Sequence, residues 1–109
     1  MSINDAAIQA VSPIVPDCVP DHYDGDNKEY CVFRYEEIGD DFGDDTANAV
    51  LYLFTLNWFL PLGVNPLEKK KQIKEALVNA GFTYPNVLNL SDEEGQHFVF
   101  ECQCVDGDV

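Results

Sequence analysis

The stretch SDEEGQHFVFECQC, residues 91–104, decides between two architectures. It sets His97, Cys102 and Cys104 into eight residues, directly after an acidic turn. Read as ligands, these side chains would build the chain around a metal. Read as a strand, they belong to a sheet. From His97 onward the residues alternate with the period of two that a strand requires: Phe98, Phe100, Cys102 and Cys104 point one way, and His97, Val99, Glu101 and Gln103 the other. The two cysteines therefore continue an aromatic face, where a thiol behaves as a small hydrophobe. His97 points away from both. A structural zinc site uses four ligands, usually in C-x₂₋₄-C pairs, and C-x-C is neither that nor the C-x-x-C of a redox pair. The stretch reads as a strand with buried thiols, with no metal and no cofactor.

Working back from this strand, FTYPNVLNL (82–90) holds a short strand near 87–90. The clearest element precedes it. In NPLEKKKQIKEALVNAGF (65–82), Asn65 is the cap, Pro66 takes the first helical position and Glu68 completes an N-x-x-E capping box. Leu67, Ile73, Ala76, Leu77 and Ala80 share one face, and Gly81 is the stop. AVLYLFTLNWF (49–59) is apolar on both alternations, as in a strand covered on both sides. Its β-branched and aromatic content, with Pro61 and Gly63 close behind, favours strand over buried helix. EYCVFRYEE (29–37) alternates, with Cys31, Phe33 and Tyr35 on one face and Tyr30, Val32, Arg34 and Glu36 on the other. Between these two strands, IGDDFGDDTAN (38–48) is a loop long enough to suggest function. At the start, residues 4–11 make a short helix with Asn4 as its N-cap. Pro13, Pro16 and Pro20 then enforce an extended, turn-rich arm, anchored by Ile14, Val15 and Val19 to the core or to a neighbouring subunit.

The expected fold is a single α+β domain over residues 1–109, with a helical turn and proline-rich arm over 1–28 and an α+β core over 29–105. A mainly antiparallel or mixed sheet of four or five strands carries the 65–80 helix and the short N-terminal helix. The expected core is Phe33, Tyr35, Leu51, Leu53, Ile73, Leu77, Phe82, Phe98 and Phe100.

Twenty Asp and Glu against six Lys and Arg give a net charge of -14. A surface of that sign repels phosphate, which argues against nucleic-acid binding. The N-terminus has neither the basic flank nor the apolar run of a signal peptide, and no stretch approaches the ~20 apolar residues of a membrane span. A cytoplasmic chain with reduced thiols is expected.

Catalytic signatures are missing. DHYDGDNKE (21–29) lacks the spacing of a calcium loop, and no P-loop, G-x-G-x-x-G or G-x-S-x-G occurs. His22 and His97 have no nucleophile beside them in sequence. The expectation is a protein that is not an enzyme. What remains is charge geography. Lys69, Lys70, Lys71 and Lys74 crowd just over one helical turn. They form either an ordinary solvated face, with Lys71 and Glu75 paired four residues apart, or the basic half of a contact with Asp40, Asp41, Asp44 and Asp45 of an identical neighbour. The second contact is heterologous, and such contacts close into rings. The exposed row Tyr30, Val32 and Arg34 is another candidate surface.

The order of elements, and above all KKQIKEALVNAGF and GQHFVFEC, resembles the tail-terminator (tail-completion) and head–tail joining proteins of long-tailed bacteriophages and prophages. The resemblance covers roughly residues 19–103. It implies a non-enzymatic α+β subunit of a homo-oligomeric ring, typically a hexamer and in some cases assembled only on the tail. Such a ring caps the tail tube, stops its polymerisation and presents the surface that joins the head connector. The expected setting is the host cytoplasm during assembly and then the virion. The alternative from another class is a small acidic regulatory or inhibitory protein that binds a basic host surface. A third is a metal-dependent enzyme using the aspartate loops.

Overall fold

The protein, seen in a computed structural model, is described here over residues 2–38 and 50–105. In chain order the elements are α1 (Ile3–Val11), β1 (Cys18–Pro20), β2 (Tyr30–Glu37), β3 (Leu51–Leu60), α2 (Leu67–Asn79), β4 (Asn86–Asn89) and β5 (Gln96–Val105). The five strands form one sheet in the order β1-β2-β3-β5-β4. The α+β expectation holds, and the sheet is mixed: β1 runs parallel to β2, and every other pair is antiparallel. The strand β1 lies inside what the sequence presents as an arm. A parallel neighbour ordinarily needs a long crossover. Here β1 has only three residues, so the segment 21–29 suffices to return the chain to the start of β2.

Local chemistry explains both helices, with two shifts from expectation. The N-cap of α1 is Ser2, whose hydroxyl accepts the Asp5 N–H at 3.1 Å. Asn4 instead accepts a 2.6 Å bond from the Tyr35 hydroxyl and ties α1 to β2. At α2, Asn65 does serve the helix start, its Oδ1 accepting the Leu67 N–H at 3.0 Å. The expected capping box does not close, because Glu68 faces Gln72 along the helix. The C-terminus stops as expected. Gly81 sits at φ 106, where the left-handed conformation is free of a Cβ penalty. Phe82 N–H then reaches the Leu77 carbonyl and Gly81 N–H the Val78 carbonyl, each at 3.1 Å.

The core lies between the helices and one face of the sheet. It joins Ala6, Ala7 and Val11 of α1, Val15, Ile73 and Leu77 of α2, and Phe82 to Cys31, Phe33, Phe54, Leu56, Trp58, Phe98 and Phe100 of the strands. Leu51 and Leu53 are corrections: both are half-buried on the opposite face, and the core of β3 is made by Phe54, Leu56, Trp58 and Leu60. Register fixes this phase, since Leu56 stands opposite Phe33 on one side and Phe100 on the other. Leu67, expected on the buried helix face, is 66% exposed, and Tyr35 packs only at the core's margin.

A carboxylate joins the helix layer to the sheet. Glu29 accepts the indole N–H of fully buried Trp58 at 3.0 Å and pairs with Lys69 Nζ at 2.9 Å. This places the first turn of α2 over β2 and β3.

Candidate functional site

The face of the sheet turned away from α1 and α2 carries Tyr30, Val32 and Arg34 of β2, Thr55, Asn57 and Phe59 of β3, and His97, Val99 and Glu101 of β5. Among the described residues, the segment crossing it is the 21–29 return loop. Four rings stack across this face. Tyr23 lies on Tyr30 with centroids 4.2 Å apart, Tyr30 on Phe59 at 4.9 Å, and Phe59 on His97 at 4.2 Å. Pairing brings the last three together, because Phe59 stands opposite Tyr30 on β2 and opposite His97 on β5.

Each end of the ladder is held. The Tyr23 hydroxyl donates to Asp17 Oδ2 at 2.8 Å and accepts the Asn27 N–H at 3.0 Å, and the Asn27 side-chain amide also donates to that carboxylate. These bonds, from Asn27 first and Tyr23 second, hold the Asp17 carboxyl below its usual range. The Tyr23 phenol is pushed up, mainly by desolvation and then by the Asp17 bond. Gly25 lies under the ring: a Cβ built there would fall 2.2 Å from the Tyr23 hydroxyl. The loop starts from Asp21 at φ 63, in the left-handed region unusual for a residue with a side chain. His22 N–H there donates to the Pro20 carbonyl at 2.7 Å. At the other end, His97 Nε2 lies 2.8 Å from Asn57 Oδ1. Partial burial lowers the His97 pKa below 6.5, opposed by the charge of Asp92.

The ladder divides two open clefts. One, of about 480 Å³, is lined by Asp21, Tyr23, Arg34 and Asn57 beside Tyr30 and Phe59. The other, of about 570 Å³, runs round the end of β3 between Tyr30, Phe59 and His97 and the exposed side chains of Leu62 and Leu90, with Asp26, Asp92 and Glu94 on its rim. Gln96 shapes the second cleft by donating to the carbonyls of Pro61 and Val64 at 2.9 and 2.7 Å.

Of the sequence-predicted candidates, Tyr30 is a rung of the ladder, and Val32 and Arg34 line the first cleft. The four lysines do not form one solvated patch. Lys69 pairs with Glu29, Lys70 sits 4.5 Å over the Phe98 ring, and Lys74 lies 5.7 Å from the ring of Tyr84. Lys71 is exposed, and the expected Lys71–Glu75 pair is not among the ion pairs of the described residues. Asp40, Asp41, Asp44 and Asp45 lie outside the described residues. Nothing in the sequence marks Tyr23, Phe59 or Glu29: strand register places Phe59, and contacts of the return loop place Tyr23 and Glu29.

All four cysteines are buried on the core side, away from His97. Desolvation raises the Cys18 and Cys102 thiols to about 12 and Cys31 higher still, so none of these three supplies a thiolate near neutrality. Among the described residues, no three His, Cys, Asp or Glu side chains gather as metal ligands. The histidine side chains bond Asn57 and Asp24, not a hydroxyl or thiol. No helix among the described residues is long and apolar enough to cross a membrane. The arrangement is suited to burying an aromatic surface against another macromolecule. No family model matches the sequence, and no curated protein matches it.

Proposed function

We propose that this chain is a non-enzymatic virion-assembly protein of a long-tailed phage or prophage: a tail terminator that caps the tail tube as a ring and joins tail to head. The observation that carries the reading is the one-sided sheet. Both helices pack on one face, and the other presents the ladder Tyr23–Tyr30–Phe59–His97 between two open clefts. Aromatic rings held rigid and half-exposed are the anchors of protein interfaces, since burying them adds apolar area at little cost in side-chain entropy. The α+β arrangement of the described residues, 2–38 and 50–105, is also the kind of domain the resemblance implies. On this reading the partners are copies of the chain, the tail-tube protein and the head connector, and the chain ends in the neck of the virion.

The test is genetic and visual. Particles made without this chain should carry tails of uncontrolled length with no heads attached, as seen by electron microscopy, and supplying the chain in trans should restore uniform, headed tails. Tails of normal length and attachment in its absence would refute the proposal.

A further inference from the structure

Five of the seven exposed large hydrophobics among the described residues fall into two groups, one on the α2 side and one at the end of β3. On α2, Leu67, Lys71, Lys74 and Val78 fall on one flank at helical spacing, with Tyr84 beside Lys74; Leu67 is 66%, Val78 41% and Tyr84 69% exposed. This flank is apolar and basic. At the end of β3, the cleft beside Phe59 has the opposite net charge: Leu62 and Leu90, 54% and 55% exposed, stand among Asp26, Asp92 and Glu94, with Lys28 the one Lys or Arg in the lining. Each surface offers large apolar side chains bordered by charge, and the signs are complementary. Of the four lysines on α2, Lys71 and Lys74 lie on this flank, in a chain whose net charge is -14.

We propose that the Leu67–Lys71–Lys74–Val78 flank of α2 in one copy docks into the acidic aromatic cleft of the next. The inference deepens the ring reading and rests on it for the number of copies. The flank belongs to the helix layer, while the cleft opens at the end of β3 where the ladder crosses the helix-free face. Made head-to-tail, as the ring reading requires, this contact is the kind that propagates until a ring closes. Leucine and valine side chains enter against Phe59, Leu62 and Leu90, while Lys71 and Lys74 meet Asp26 and Glu94. Apolar burial supplies affinity, and the charges set register and exclude the like-charged remainder of the surface.

Two reversed variants test the contact. One carries Lys71→Glu with Lys74→Glu, and the other Asp26→Lys with Glu94→Lys. Sedimentation velocity should show wild-type self-association at low salt and at least about tenfold weaker association for each variant alone. An equimolar mixture should recover association, because each variant's altered surface now meets the other's. That recovery also shows that both variants are folded. A wild-type chain still monomeric at about 1 mM, the weak end of the affinity scale, would overturn the contact. So would variants that associate like wild type, or a mixture that fails to recover. A chain that associates through this contact yet leaves tail length unaltered when removed would instead sink the tail-terminator reading and keep the contact.

Discussion

Replacing Glu29 with alanine removes one carboxylate from two partners at once, and the two losses are of different size. The Trp58 indole N–H is fully buried and donates to Glu29 at 3.0 Å. Without an acceptor it bears the desolvation penalty of an unmade buried bond, about 1–3 kcal/mol. The Lys69 pair is 41% and 28% exposed at its two side chains, and screening by water holds its worth to about 0–1 kcal/mol. Glu29→Ala should therefore destabilise by roughly 1–4 kcal/mol in all, and Lys69→Ala by less than about 1 kcal/mol. Glu29→Gln separates the terms: it keeps an oxygen for the indole and loses the charge, so its cost should resemble that of Lys69→Ala. Urea unfolding read by the fluorescence of the single tryptophan reports all three variants. The reasoning fails if Lys69→Ala costs as much as Glu29→Ala, or if Glu29→Gln is no milder than Glu29→Ala.

Further outcomes follow from the site and the core. Gly25→Ala should expel the Tyr23 ring from the stack, seen as loss of the Tyr30 ring-current shifts in NMR spectra while the core shifts stay in place. Thiol reagents should label Cys18, Cys31 and Cys102 only on unfolding. Because these thiols ionise near 9 in the unfolded chain and much higher when folded, the unfolded state loses protons first and stability should fall as pH rises past about 9 in a series of melts. His97 has the opposite dependence: its folded pKa is lowered, so the unfolded state takes up the proton first and this contribution to stability declines as pH falls through about 6.5. Asp92→Asn removes the charge that opposes this shift, and an NMR titration should find His97 lowered further.

The strand β5 was legible because only one of its alternations is fully apolar, and the faces expected from Phe98 and Glu101 are those observed. In β3 both alternations contain large apolar side chains, so periodicity alone left the phase open, and Leu51 and Leu53 were assigned to the wrong face. The odd alternation is interrupted by Thr55 and Asn57, whereas 52, 54, 56, 58 and 60 are all aromatic or aliphatic. That asymmetry was the available signal. The strand β1 was illegible for another reason: three residues ending in a proline carry no period, and their partner is β2, more than ten positions away. The cap of α1 shifted by two because Ser2 and Asn4 are both good caps and Asn4 is drawn off by Tyr35.

The candidate site was half legible. Tyr30, Val32 and Arg34 read as an outward row, and His97 as outward from β5. Their union needed Phe59, which stands between β2 and β5, and Tyr23, which a hydrogen-bonded loop lays onto Tyr30. The lysine cluster was visible as composition but not as function. Folding engages Lys69, Lys70 and Lys74 with Glu29, Phe98 and Tyr84, and turns Leu67 outward beside Lys71.

The most direct test of the central claim is electron microscopy of growing tail tubes mixed with the purified chain. The account predicts a closed ring of added density at one end of each tube and an end to growth there. Tubes that lengthen unchanged, with bare ends at every concentration of the chain, would contradict it.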